Sequence, residues 1–117
     1  MAKNTLGFAV IGLGKMGNRR IETIIQNPNA ELICVSDIDR KTGEIIAQRT
    51  GCTFYHDFEE AISQDKVDCV VISTPNKFHA PISISALKKG KHVFCEKPLA
   101  RNPDEALMMV EAALTSK

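Results

Sequence analysis

Phe8-Ala9-Val10-Ile11-Gly12-Leu13-Gly14-Lys15-Met16-Gly17 decides how the rest of the chain is read. An apolar run meets glycines spaced Gly-x-Gly-x-x-Gly, and a helical pattern follows from Lys15 to Gln26. Such glycines arise by chance in many chains, so the context gives them meaning. Strand, tight turn and helix open a βαβ unit. Gly12 permits the turn, Gly14 lets a phosphate group approach the backbone, and Gly17 lets the helix pack close to the strand. The helix start offers unpaired N–H groups and the positive end of its dipole, and Lys15 and Met16 stand within that first turn.

Outward from this loop, further short apolar runs alternate with helical patterns. The runs are Phe8–Ile11, Leu32–Ser36, Thr53–Tyr55, Cys69–Ser73 and His92–Cys95. Those around Ile33 and Val70 are nearly continuous in apolar residues, as strands buried on both faces require. The pattern predicts an α/β fold: a Rossmann-type, doubly wound parallel sheet in three layers, with about five strands in order 3-2-1-4-5. Helix boundaries are legible too. Asp57 and Glu60 have capping-box spacing, Gly51 and Gly90 end helices, and Asn102-Pro103-Asp104 opens a last helix whose apolar stripe includes Leu107, Val110 and Leu114.

The second strand ends at Asp37, about 20 residues beyond the last glycine of the loop, where a dinucleotide fold places the acid that accepts hydrogen bonds from the adenosine ribose. The competing reading makes Asp37 a cap for the next helix. A carboxylate there repels a 2′-phosphate and favours NAD over NADP. Arg40 is read two ways: its guanidinium pairs with a phosphate or stacks on adenine, or it is a solvated helix residue.

Three further segments carry a family resemblance. They are Thr74-Pro75-Asn76 with His79 after the fourth run, Ala86-Leu87-Lys88-Lys89-Gly90-Lys91-His92-Val93 leading into the fifth, and Glu96-Lys97-Pro98 directly after it. With Gly12, Gly14, Gly17 and Asp37, they closely resemble the glucose–fructose oxidoreductase, inositol dehydrogenase and rhizopine-catabolism (Gfo/Idh/MocA) family over essentially the whole chain. The resemblance implies an NAD(P)-dependent dehydrogenase acting on a sugar, cyclitol or related polyol, with NAD preferred. In an open parallel sheet ligands bind beyond the carboxyl ends of the strands. Thr74, Asn76 and Glu96 supply the hydroxyl, amide and carboxylate that a nicotinamide ribose needs, and Pro75 lies within the same loop. The resemblance implies that Lys97 binds substrate and acts catalytically. A desolvated lysine lowers its pKa toward neutrality and can help take the proton of a hydroxyl. It also implies a cis Lys97–Pro98 bond that aims Lys97 into the crevice, and a His79 near the cofactor; a histidine that simply starts a helix is the other reading. Arg20 departs from the family, in which relatives often carry histidine.

Composition narrows the alternatives. The 117 residues fit one domain, residues 1–117, and the net charge of +1 carries no footprint for nucleic acid. No apolar run is long enough for a membrane span, and the N-terminus lacks signal-peptide features, so the expected compartment is the cytoplasm. Cys34, Cys52, Cys69 and Cys95 lack Cys-x-x-Cys spacing and pair with no histidine at zinc-ligand spacing, so free buried thiols and no metal are expected. The family's second, substrate-binding domain and the sixth strand of a full dinucleotide domain lie beyond Lys117. The expectation is therefore a piece of a longer enzyme that binds NAD(H) without turnover alone, with a natural short cofactor-binding protein as the alternative. The strand His92–Cys95 would then be a free edge that invites self-association into a homo-oligomer. Two other functions stay open: a cofactor-sensing regulatory protein on the same scaffold, and a domain for another nucleoside ligand such as a methyl donor.

Overall fold

The computed structural model describes residues 5–95. In chain order these form β1 (Leu6–Ile11), α1 (Lys15–Gln26), β2 (Ala30–Ser36), α2 (Arg40–Thr50), β3 (Thr53–Tyr55), α3 (Phe58–Ile62), β4 (Cys69–Ile72), a 3₁₀ turn (Asn76–Phe78), α4 (His79–Lys88) and β5 (His92–Cys95). The strands make one sheet in order β3-β2-β1-β4-β5, and every pairing is parallel. This is the order that the alternation of runs predicts. The helix expected from Asn102 lies outside the described residues.

Side-chain alternation divides the core between the two faces of the sheet. Ala9, Ile11, Cys34, Val70 and Ile72 point to the side covered by Ala61 and Ile62 of α3 and Ile82 and Ala86 of α4. Val10, Val35 and Val71 point to the other side, where Ile21 and Ile24 of α1 and Ile46 of α2 cover them. Val10, Val35 and Val70 are wholly buried, so the central strands have no wet face. Each such side chain stabilises the fold by about 1.5–3 kcal/mol. Burial also pushes the Cys34 thiol up to about 12, which keeps it neutral.

Local signals set the helix ends. Gly51 closes α2 at φ 80°, a left-handed conformation that glycine adopts without strain. The Asp57 carboxylate caps α3 by accepting from the Glu59 N–H at 2.9 Å, one residue earlier than the box spacing with Glu60 implies. Two strand limits differ from the sequence reading. β1 begins at Leu6 rather than Phe8, because the Leu6 N–H donates to the Asn29 carbonyl at 2.9 Å and a Cβ on Gly7 would fall 1.9 Å from the Lys66 carbonyl oxygen. β4 ends at Ile72, and the Ser73 N–H turns to the Ile11 carbonyl at 2.8 Å.

Candidate functional site

The carboxyl ends of β1, β2, β3 and β4 open onto one cavity of about 570 Å³, within the range of small-molecule and cofactor sites. On one side stands the glycine loop. Gly12 has φ +93°, and its N–H donates to the Ser36 carbonyl at 2.8 Å. Gly17 is buried against it, since a Cβ there would fall 2.0 Å from the Gly12 carbonyl oxygen. Asn18 Nδ2 donates to the Leu13 and Gly14 carbonyls at 2.8 and 3.0 Å. The loop is therefore shaped by the protein's own bonds. No side chain caps α1, its first turn holds no acid, and a Cβ on Gly14 would meet nothing within 4 Å. Exposed N–H groups, a positive dipole end and open space at Gly14 fit a pyrophosphate.

Asp37 bridges two elements. Its Oδ2 accepts from the Leu13 N–H at 2.7 Å and its Oδ1 from the Asp39 N–H at 2.8 Å. Each oxygen keeps a second lone pair, so the carboxylate can still accept from ribose hydroxyls. The helix-cap role that competed for Asp37 falls to Asp39, whose carboxylate accepts from the N–H groups of Lys41 and Thr42. The Thr42 hydroxyl at 3.0 Å and the Thr42 N–H hold the Asp39 carboxyl below the usual carboxylate range.

Across the cavity, β4 leads into Ser73, Thr74 and Pro75. Thr74 Oγ1 is buried, lines the opening's wall with its residue and has no hydrogen-bond partner among the described residues. An orphaned hydroxyl beside a cavity fits a ligand donor or acceptor. The residues present thus fit a dinucleotide at both ends of the crevice.

The structure brings Gly12, Gly14, Lys15, Met16, Asp37, Thr74 and Pro75 to the cavity wall. Gly17 packs behind the loop, and Arg40 is exposed at the start of α2, away from the lining. Asn76 begins the 3₁₀ turn. His79 is 1% exposed and sits behind the lip rather than in the wall. Arg20 stacks on the Phe94 ring of β5 at 4.9 Å. Glu96, Lys97 and Pro98, including the expected cis bond, lie outside the described residues. Sequence reasoning missed Ile38, His56 and Phe58, which line the end near Asp37. His56 Nε2–H donates to the Ile38 carbonyl at 3.0 Å. The signal was available, since His56 follows the carboxyl end of β3 and the strand-end rule applies to it as well.

Parallel sheet, glycine loop and acid at the end of β2 define a dinucleotide-binding Rossmann domain. Residues 6–117 match the Gfo/Idh/MocA model described as "Oxidoreductase family, NAD-binding Rossmann fold", and the chain belongs to that family. It is 38% identical over 108 residues to an inositol 2-dehydrogenase of Rubrobacter xylanophilus, covering 92% of this chain and 31% of the relative. Among solved structures it resembles GenD2 from gentamicin A biosynthesis in complex with NAD (TM-score 0.90, 34% identity, 95% of this chain and 32% of that one). It also resembles the WlbA dehydrogenase of Chromobacterium violaceum in complex with NADH and UDP-GlcNAcA (TM-score 0.90, 32% identity, 97% and 33%). The chain thus spans about a third of the length of these relatives.

Proposed function

We propose that this chain is the NAD-holding part of an oxidoreductase that oxidises a secondary alcohol of a sugar, cyclitol or related polyol. The observation that carries the cofactor reading is the shared crevice: the open face at Gly14, the Asp37 carboxylate and the orphaned Thr74 Oγ1 meet around one cavity. The Gly12–Met16 loop holds the pyrophosphate through the backbone N–H groups of Gly14, Lys15 and Met16. Asp37 binds the adenosine ribose and disfavours a 2′-phosphate, so NAD is preferred over NADP, with Arg40 as an outer contact. Thr74, Pro75, Asn76 and Glu96 orient the nicotinamide ribose. When bound, the nicotinamide supplies the hydride acceptor. Lys97 hydrogen-bonds the substrate hydroxyl and helps take its proton as the C–H bond gives up its hydride, with Pro98 setting the direction of Lys97. The polyol class is supported by the inositol dehydrogenase relative and by the nucleotide-sugar complex of the WlbA neighbour.

The proposed compartment is the cytoplasm. Cys34 and Cys52 are free thiols, and no helix among the described residues is long and apolar enough to cross a membrane. Self-association is proposed along β5, the outermost strand on its side among the described residues, where Phe94 is half exposed.

Calorimetric titration of the chain with NADH and NADPH tests the cofactor reading. Saturable NADH binding, tighter than that of NADPH, is expected. Asp37→Ala should weaken NADH by about ten- to a hundredfold, the range for hydrogen bonds to a charged group, and narrow the preference. Absence of saturable NADH binding would sink the reading.

A further inference from the structure

We propose that His79 is a positioning residue for the nicotinamide half of the cofactor, acting through the Ser73–Thr74 backbone without touching the ligand. The inference rests on the NAD-binding reading above. Two observations place His79 in this role. The ring is buried at the start of α4 and is absent from the cavity wall. Its Nε2 lies 2.7 Å from the Thr74 carbonyl oxygen, and a carbonyl only accepts, so Nε2 carries the proton and donates it.

The peptide that precedes the one His79 grips is held as well. A Cβ on Gly12 would meet the Ser73 carbon at 2.7 Å, the Ser73 oxygen at 2.8 Å and the Thr74 nitrogen at 2.8 Å. The Ser73–Thr74 peptide therefore lies against the bare α-carbon of the glycine loop. The Ser73 N–H also donates to the Ile11 carbonyl at 2.8 Å. Gly12 and Ile11 fix the backbone before the Thr74 α-carbon and His79 the carbonyl after it. Between them Thr74 keeps its Oγ1 buried and unpartnered at the crevice. A polar atom without a partner stays in such a place only where the backbone allows no retreat.

Location decides which half of the ligand depends on this grip. Strand order reverses between β1 and β4, and the crevice crosses that point. Asp37 and the adenosine end lie toward β2, so the lip after β4 serves the opposite half. Loosening it should harm binding of the whole dinucleotide and spare binding of the adenosine portion.

The test is calorimetric titration of the full chain with NADH and with ADP, which lacks the nicotinamide ribose, for wild type and for His79→Gln, His79→Asn and His79→Leu. A glutamine amide reaches the position of Nε2, whereas an asparagine amide stops near Nδ1. His79→Leu and His79→Asn should weaken NADH by about tenfold and leave ADP within about twofold, while His79→Gln should keep most NADH affinity, as loss and recovery of one hydrogen bond predict. Asparagine covers the case in which leucine fails to fold. On a Thr74→Val background, His79→Asn should add no further loss for NADH. Equal weakening of both ligands, unchanged NADH affinity in the Asn variant, or additive losses with Thr74→Val would overturn the proposal. If wild type binds neither ligand, the NAD reading itself fails; wild-type binding without the differential overturns only the role of His79.

Discussion

The two lips of the crevice solve one problem with opposite means. On the β2 side, Asp37 holds the glycine loop through the Leu13 N–H while remaining partly exposed and lining the cavity. On the β4 side, His79 holds the Thr74 carbonyl from full burial and stays out of the cavity. A carboxylate has lone pairs to spare, so it can hold the backbone and meet ribose hydroxyls together. An imidazole bonded to a carbonyl at 2.7 Å has committed that nitrogen, and it is Thr74 that lines the cavity. One lip merges support with recognition; the other separates them.

The glycines join the two lips, and altering them gives the largest expected effects. Gly17→Ala forces a carbon to within 2.0 Å of the Gly12 oxygen, so the turn must shift. Overpacking of this kind costs about 1–3 kcal/mol, and denaturant unfolding should show it together with loss of NADH binding. Gly14→Ala is the contrasting case. Open space surrounds the new methyl group, so unfolding should be nearly unchanged while calorimetry shows NADH binding much reduced. If both changes harm stability alike, the loop has no face reserved for a ligand.

The two hydroxyls orphaned among the described residues sharpen the comparison further. Thr74→Val should weaken NADH by about tenfold, and thermal unfolding of the free protein should show equal or greater stability, because an unsatisfied hydroxyl costs about 1–3 kcal/mol. Ser83→Ala in α4 removes the other buried orphan, which lies in the core and not at the cavity. Stability should rise by about 1 kcal/mol with NADH affinity unchanged. A loss of affinity at Ser83 would erase the distinction between the two hydroxyls.

The smallest effect belongs to the Asp39 cap behind the acid-side lip. Its carboxyl sits below the ordinary 3.8, chiefly through the Thr42 hydroxyl. A depressed folded value stabilises fully above the unfolded one and loses that contribution as pH falls through the folded one. Asp39→Asn should lower stability slightly near neutrality and flatten the profile on that acid limb, where the difference from wild type disappears.

Most of the frame was legible from residues whose burial is two-sided. Val35 and Val70 sit in runs that only a covered parallel sheet explains, and Gly51 or Asp57 announce helix ends by chemistry that acts within a few residues. What stayed hidden depends on distant neighbours. Gly7 looks like a strand breaker until the Lys66 carbonyl is seen against it. Ile38 is 80% exposed and follows no apolar period, yet it lines the cavity beside His56. In the site, glycine spacing and Asp37 were readable as a motif. The bond from Asp37 to Leu13 and the grip of His79 on Thr74 were not, since each joins elements that sequence order separates or a backbone atom that side-chain patterns never report.

The central place of β1 has a consequence for how the protein breathes. Its amides lie between hydrogen-bonded neighbours on both sides and beneath helices on both faces. Such amides are released only when the whole sheet comes apart. The turn at Gly12 therefore hangs from the last part of the molecule to open, and any ligand held there is linked to global unfolding rather than to local fraying.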